Sequence, residues 1–140
     1  EIAIKCGADG VHVGQSDMEA GAVREKTGPD MIIGVSAQTV EAALAAQVAG
    51  ADYLGVGAVF PTSTKLDAAE VSHNRLKEIC EAVAIPVTAI GGISEKNIME
   101  LAESGVDGVA LVSAIFSAEN IEEQWAKLKL VKEIAEEVWK

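Results

Sequence analysis

Five short apolar runs alternate with helical patterns along the chain, and this alternation constrains the fold more than any other feature of the sequence. Such alternation is typical of right-handed β/α units built on a parallel sheet. We expect strands over residues 10–14, 31–36, 53–59, 86–90 and 108–112, and helices over residues 18–26, 40–49, 75–83, 95–104 and 121–139, with a short turn at 114–116.

A weak internal repeat follows the same alternation. Its three copies are Gly7-Ala-Asp9, Gly50-Ala-Asp52 and Gly105-Val-Asp107. Each glycine is predicted to end a helix in the left-handed conformation, and each aspartate to form a turn by bonding local backbone. The repeat recurs in every second β/α unit, as expected when alternate strands of a (β/α)₈ barrel share one geometry.

The length of the chain limits how much of such a barrel it holds. A complete (β/α)₈ TIM barrel needs eight strands and usually about 200 residues or more, whereas the chain has 140 residues. We therefore expect one partial TIM-barrel domain over residues 1–140, corresponding to the last five β/α units. The chain lacks an initiating methionine, which suggests a piece of a longer protein.

Composition narrows the classes of partner. The apolar content of 49% with only 4% aromatic residues suits aliphatic strands buried on both faces. A net charge of −11 argues against nucleic acid or an anionic membrane as partner, so anionic ligands must be held by a few local groups. Without a signal peptide or a long apolar run, we expect a soluble cytoplasmic protein. Cys6 and Cys80 are predicted to be buried thiols rather than a disulfide.

The loop after the third strand carries the strongest chemical signal. Thr62, Thr64 and Lys65 follow an apolar strand, at the edge of the sheet where α/β proteins place their ligands. Hydroxyls and a lysine suit a phosphorylated small molecule, and the lysine can stabilise negative charge on departing pyrophosphate. The alternative is an ordinary solvated loop lysine.

Polar residues also follow the first two strands. Asp17 is predicted either to bind a divalent cation or to cap the helix that begins near Met18. The two roles are compatible, because one carboxylate oxygen can cap while the other meets a metal. Ser36 is either a helix cap, like Thr39, or a ligand for phosphate.

Two further loops favour a phosphate site. Gly91 and Gly92 follow the fourth strand, and Val112 and Ser113 follow the fifth. In barrels that bind phosphate, the last two loops and a short extra helix donate backbone amides, and a Cβ at the glycines would keep the phosphate from the backbone.

Three types of residue are interpreted as structural. His12 alternates with apolar residues inside a strand and is predicted to be packed or hydrogen-bonded there. His73 precedes a helix and is expected to be an exposed residue of the capping region. Trp125 and Trp139 are predicted to pack on one face of the last helix.

Taken together, the motifs resemble the thiamine-phosphate synthase family over nearly the whole chain. They are Gly10-Val-His-Val-Gly-Gln-Ser-Asp17, Ile33-Gly-Val-Ser36, Gly50-Ala-Asp-Tyr-Leu-Gly-Val-Gly-Ala-Val-Phe-Pro-Thr-Ser-Thr-Lys65, Ala89-Ile-Gly-Gly-Ile93 and Val112-Ser-Ala-Ile115. The resemblance implies a (β/α)₈ barrel that joins an aminomethylpyrimidine diphosphate to a thiazole phosphate. The products are thiamine phosphate and pyrophosphate, formed through a pyrimidine carbocation.

The resemblance also implies roles for particular residues. Asp17 is a ligand of Mg²⁺, and Ser36 and Lys65 are catalytic residues that contact the diphosphate. The segment Thr62, Ser63 and Thr64 lines the thiazole phosphate site. The groups that hold this phosphate through backbone amides are Gly91 or Gly92, with Val112 and Ser113.

The chain departs from the family in lacking its first three strands, which complete the diphosphate and magnesium sites. We hypothesise that the isolated chain is inactive or nearly so. The unpaired sheet edges at 10–14 and 108–112 predict association, either with the missing part or with another copy of the chain. The alternatives are a thiazole tautomerase, which lacks magnesium, a non-catalytic domain that binds phosphorylated ligands and, more distantly, a sugar-phosphate epimerase.

Overall fold

The β-branched runs form a single parallel sheet. The computed structural model describes residues 1–61, 70–117 and 119–138. Its strands are β1 (Gly10–Val13), β2 (Ile32–Ala37), β3 (Tyr53–Val56), β4 (Val87–Ile90) and β5 (Gly108–Ala110). They pair in the order β1-β2-β3-β4-β5, all parallel. The five predicted strands are confirmed, although β3 and β5 end earlier than expected.

Helices follow the strands in the predicted alternation. They are α1 (Ile2–Lys5), α2 (Ala20–Thr27), α3 (Val40–Val48), α4 (His73–Ala82), α5 (Ser113–Phe116) and α6 (Ile121–Val138). Thr39 caps α3 as predicted, since its side chain accepts a hydrogen bond from the Ala42 amide. Within the described ranges, no helix is both long and apolar enough to cross a membrane.

The helix predicted over residues 95–104 is largely wrong. In its place lies a 3₁₀ helix, Ile98–Leu101. The Asn97 amide ties the preceding turn together, because its oxygen accepts from the Ser94 amide at 2.8 Å and its nitrogen donates to the Gly92 carbonyl at 2.9 Å. Ile98 and Leu101 are both buried and lie three residues apart, which is the period of a 3₁₀ helix.

The two faces of the sheet differ because side chains alternate along each strand. One face packs against the helices and holds the core, where Leu54 and Val87 contact the cluster that includes Leu76 and Ile79 of α4. The other face carries small and polar residues and is partly open: Ile90 is 40% exposed. The prediction that the strands are buried on both faces is therefore confirmed for the face that packs on the helices, whereas the other face is only partly buried.

The internal repeat has the predicted backbone shape. Gly7, Gly50 and Gly105 have φ values of 64°, 90° and 84°. The aspartates act over a longer range than expected. The Asp52 carboxylate accepts from the Ile33 amide at 2.7 Å, and the Asp107 carboxylate from the Val87 amide at 2.8 Å. Asp52 and Asp107 therefore each join the start of their own strand to the neighbouring strand, so for these two the structural role is confirmed and the local turn is wrong.

Arg24 extends the Asp52 contact into a clamp at the amino ends of the strands. Its guanidinium donates to the carbonyls of Met31 at 2.6 Å and Gly50 at 2.8 Å, and meets the Asp52 carboxylate at 2.7 Å. The pKa of Asp52 is lowered, first by the Ile33 amide and then by Arg24, against the opposing effect of desolvation. Because the folded-state pKa is depressed, this stabilisation is present above the unfolded pKa and is lost as the pH falls through the folded one.

Replacing Arg24 with alanine is expected to lower the free energy of unfolding by about 1.5–3 kcal/mol, because several carbonyls lose a charged donor. Arg75→Ala is the matched control, since the ion pair of Arg75 with Glu78, at 3.4 Å, is exposed. That change should cost less than about 1 kcal/mol. Urea denaturation of both variants measures the difference, and equal effects would show that the clamp contributes nothing.

The prediction of buried thiols is half right. Both cysteines are free, but Cys6 is exposed, since it lies just past the short helix α1. Cys80 is half-buried, and burial is the main cause that raises its pKa to about 11.

The predictions for Trp125 and His73 are not met. Trp125 is 55% exposed, so its predicted packing is not seen in this chain, and Trp139 lies outside the described residues. His73 is half-buried and packs edge-to-face on Phe60, with ring centroids 5.1 Å apart, so the expected exposure is wrong.

Candidate active site

A cavity of about 520 Å³ opens at the carboxyl ends of the strands. Parallel α/β proteins place their ligands at this edge, and loops from all five strands contribute to it. The lining residues are Gly14, Gln15, Ser16, Ser36, Gln38, Gly55, Gly57, Ala58, Ile90, Gly91, Gly92, Ile93, Ala110, Leu111, Val112 and Ser113. Five residues singled out from the sequence therefore lie together here: Ser36, Gly91, Gly92, Val112 and Ser113.

Ser36 lies inside β2 and caps no helix, so its hydroxyl is available to the cavity. Its Oγ is 3.0 Å from Nε2 of His12, and Nδ1 of the same ring is 3.0 Å from the Tyr53 hydroxyl. Burial lowers the pKa of His12, and the nearby Asp17 carboxylate opposes that shift. The prediction that His12 is hydrogen-bonded within the sheet is confirmed.

Asp17 closes the loop after β1 instead of capping a helix. Its Oδ2 accepts from the Gly14 amide at 2.7 Å, whereas α2 begins at Ala20 and has Glu19 at its N-cap position. The predicted cap is therefore wrong, because two further residues separate Asp17 from the helix. The loop that Asp17 closes contributes Gly14, Gln15 and Ser16 to the cavity wall.

Gly91 and Gly92 have φ values of 98° and 67°, a conformation that favours glycine. They also pack closely against the loop after β3. A Cβ on Gly91 would lie 2.6 Å from the Ala58 side chain, and one on Gly92 would lie 2.7 Å from the Phe60 carbonyl oxygen. Contact between these two loops is thus a structural reason for the glycine pair, beside the predicted approach of a phosphate.

The short helix predicted after the last strand is α5, and Val112 occupies its N-cap position. The first amides of a helix have no partner within that helix. Val112 and Ser113 line the cavity opposite the loop after β1. Backbone donors of this kind suit an anion.

The remaining predicted site residues, Thr62, Ser63, Thr64 and Lys65, lie outside the described residues. Sequence reasoning missed Gln38, which lines the cavity and donates to the Gly57 carbonyl at 3.0 Å. It lies two residues beyond Ser36, so strand alternation alone could have placed both on one face. Gln15 and Ser16 were passed over in favour of the carboxylate beside them.

A metal would find few protein ligands here. Over residues 1–61, 70–117 and 119–138, no group of three or more His, Cys, Asp or Glu side chains lies close enough to hold an ion. Mg²⁺ is often bound by one or two carboxylates, with substrate phosphates and water completing its shell. A single carboxylate such as Asp17 could bind Mg²⁺ in this way, together with phosphates and water. It could not form a metal site from protein ligands alone.

The fold defines a protein of the TIM-barrel class, with a cavity at the carboxyl ends of its strands. The chain belongs to the thiamine monophosphate synthase family, whose family model matches residues 1–115.

Individual relatives agree with this assignment. The chain is 50% identical over 128 residues to the thiamine-phosphate synthase of Clostridium tetani, covering 91% of this chain and 61% of the relative. It is 53% identical to the one from Ruminiclostridium cellulolyticum, with the same coverage. The solved thiamine phosphate pyrophosphorylase from Pyrococcus furiosus is 42% identical and superposes with a TM-score of 0.86, over 96% of this chain and 64% of that one. The chain thus spans about three fifths of the length of these relatives.

Proposed function

We propose that this chain forms the larger part of a thiamine-phosphate synthase, a transferase that joins an aminomethylpyrimidine diphosphate to a thiazole phosphate. The observation that carries the proposal is the cavity in which Ser36 faces the Gly91–Gly92 loop and the start of α5. Several polar side chains, among them Ser36 and Gln38, and two loops with backbone amides surround a space of about 520 Å³, which suits two phosphorylated substrates. Membership of the family supports the same reaction.

In the proposed reaction, the bond between the pyrimidine methylene carbon and the diphosphate breaks, and the thiazole nitrogen bonds to that carbon. Negative charge develops on the departing pyrophosphate, so donors held in place lower the barrier. Ser36 and Lys65 are the proposed donors to it. The amides of Gly91 or Gly92, with those of Val112 and Ser113, hold the thiazole phosphate, and Thr62, Ser63 and Thr64 line the same site.

We infer that Mg²⁺ assists this step, with Asp17 as its protein ligand. When bound, the ion neutralises charge on the diphosphate. The Asp17 carboxylate accepts from the Gly14 amide through Oδ2, next in sequence to the lining residues 14–16, and Oδ1 is the oxygen that we propose for the ion. The loop contact therefore orients the ligand before any ion arrives.

Asp17→Asn separates these two roles of the carboxylate. Asparagine retains an oxygen for the Gly14 amide but removes the charge, so we expect the loop to persist and the half-maximal Mg²⁺ concentration for turnover to rise by at least about tenfold. Because the chain covers 61% of the Clostridium tetani relative, turnover is best measured in a chimaera in which this chain replaces the segment that it matches. Asp30→Asn, an exposed change away from the cavity, is the control. An unchanged Mg²⁺ requirement in Asp17→Asn would remove Asp17 from the metal site.

The three candidate functions differ in what they release. A synthase releases pyrophosphate only when both substrates and Mg²⁺ are present. A tautomerase converts the thiazole phosphate alone and without Mg²⁺, and a binding domain retains phosphorylated ligands unchanged. Assays of the chimaera with each substrate singly and with both together distinguish these outcomes, and conversion of the thiazole phosphate alone would overturn the synthase.

The setting of the protein follows from the same proposal. Its partners are the two phosphorylated small molecules, and we infer a cytoplasmic location because the family makes a soluble metabolite. A net charge of −11 argues against nucleic acid or an anionic membrane as a partner. Association through the sheet edges stays a prediction.

A further inference from the structure

The open face of the sheet carries a hydrogen-bonded chain of three side chains from three strands. His12 on β1 is 3.0 Å from the Tyr53 hydroxyl on β3 and 3.0 Å from Ser36 Oγ on β2. The last of these lines the cavity, whereas the other two lie behind it. Among the described residues, the hydrogen bond between His12 and Ser36 joins this pair to a cavity residue.

Two glycines make room for this chain. His12, Gly34 and Tyr53 lie in one row across the sheet, since Gly34 is in register with both. A Cβ on Gly34 would overlap the Tyr53 ring and Nδ1 of His12, and a Cβ on Gly55 would lie 3.0 Å from Cε1 of His12. The histidine therefore reaches across the middle strand only because that strand has no side chain there.

The direction of the hydrogen bonds decides what Ser36 can do. If Nδ1 carries the proton, Nε2 accepts from the Ser36 hydroxyl, and the serine has no proton left for a ligand. If Nε2 carries the proton, it donates to Ser36 Oγ, and the serine proton is free to donate. An anionic oxygen can only accept, so only the second arrangement serves a diphosphate.

The chemistry of the two hydroxyls favours that second arrangement. A phenol is more acidic than an aliphatic alcohol, so tyrosine is the better donor to an imidazole nitrogen and serine the better acceptor from its N–H. Burial also lowers the pKa of His12, which keeps the ring neutral near pH 7 with one nitrogen as an acceptor.

We propose that Tyr53 donates to Nδ1 of His12, that Nε2–H of His12 donates to Ser36 Oγ, and that the Ser36 proton thereby points to an anion in the cavity. His12 and Tyr53 are positioning residues in this arrangement. The part that concerns the anion rests on the proposed function, whereas the direction of the hydrogen bonds does not.

The tautomer of His12 tests the direction of these bonds on the free chain. The chain has two histidines, so ¹⁵N-histidine labelling with a His73→Gln variant assigns His12 in a long-range ¹H–¹⁵N spectrum. We expect the Nε2–H pattern near pH 7.5, and a loss of this single tautomer in Tyr53→Phe. Thr88→Val, which removes a hydroxyl from β4 on the same face of the sheet, should leave the pattern unchanged. An Nδ1–H pattern would overturn the proposal.

Binding of inorganic pyrophosphate and Mg²⁺ to the chimaera tests the role of the Ser36 proton. Tyr53→Phe should weaken binding by roughly 2- to 10-fold, the value of one hydrogen bond, and should have no further effect when Ser36 is already alanine. Equal effects in both backgrounds would show a merely structural role for Tyr53 and overturn the positioning claim. If the free chain shows the Nε2–H tautomer but the chimaera binds no pyrophosphate, the result would instead count against the proposed function, while the direction of the bonds would stand.

Discussion

Replacing Lys65 with alanine is expected to slow pyrophosphate release in the chimaera by about 100- to 1,000-fold, the usual effect of removing one donor from a developing negative charge. Lys65 follows three hydroxyl residues in the sequence, and in the proposed reaction it contacts the departing diphosphate. In the proposed reaction the diphosphate still binds through Ser36 and Mg²⁺ when Lys65 is absent, so we expect the loss mainly in kcat.

The control for Lys65→Ala is Lys77→Ala. Lys77 is an exposed lysine of α4, so it removes the same charge from the protein at a distance from the cavity. A general effect of net charge would slow both variants equally. Retention of half or more of the rate in Lys65→Ala would show that the lysine is an ordinary solvated loop residue.

Replacing Leu76 with alanine is expected to lower the free energy of unfolding by about 2–5 kcal/mol, because the change removes buried methyl groups and leaves a cavity. Leu76 is fully buried where α4 packs on the sheet. A domain is stable by only about 5–15 kcal/mol, so a large fraction of its stability depends on this side chain. Urea denaturation followed by circular dichroism measures the change.

Leu44→Ala provides the comparison for Leu76→Ala. Leu44 is a leucine of α3 that is 40% exposed, so the same deletion should cost less than about 1 kcal/mol, as surface changes usually do. Equal losses at the two positions would contradict the assignment of the core to the space between the sheet and α4.

The elements that sequence reasoning predicted well are those set by local pattern. The five strands follow from runs of aliphatic residues that reach burial on the helix side, and Thr39 begins α3 through a bond to a residue three positions away. The least accurate prediction is the α-helix over residues 95–104, where the structure has a 3₁₀ helix. Its outcome depends on the contact of Asn97 with Gly92, which belongs to the preceding loop.

Contacts between distant parts of the chain were the harder part of the site. The sequence predicts that Asp52 bonds local backbone in a turn, yet its carboxylate accepts from the amide of Ile33 in the neighbouring strand. Likewise, nothing near His12 in the sequence indicates Tyr53 as its partner. That pairing requires the register of three strands and the absence of a side chain at Gly34. Five residues of the cavity, Ser36, Gly91, Gly92, Val112 and Ser113, could be predicted because parallel strands bring their carboxyl ends to one edge.

The most direct test of the central claim is the rate of pyrophosphate release by the chimaera with both substrates and Mg²⁺, compared with the intact Clostridium tetani relative. We predict that the chimaera releases pyrophosphate at a rate within about tenfold of that relative, a difference of about 1.4 kcal/mol in activation free energy. We also predict that Lys65→Ala abolishes most of this release. A chimaera that folds like the relative but releases no pyrophosphate would contradict the assignment of this chain to thiamine-phosphate synthesis.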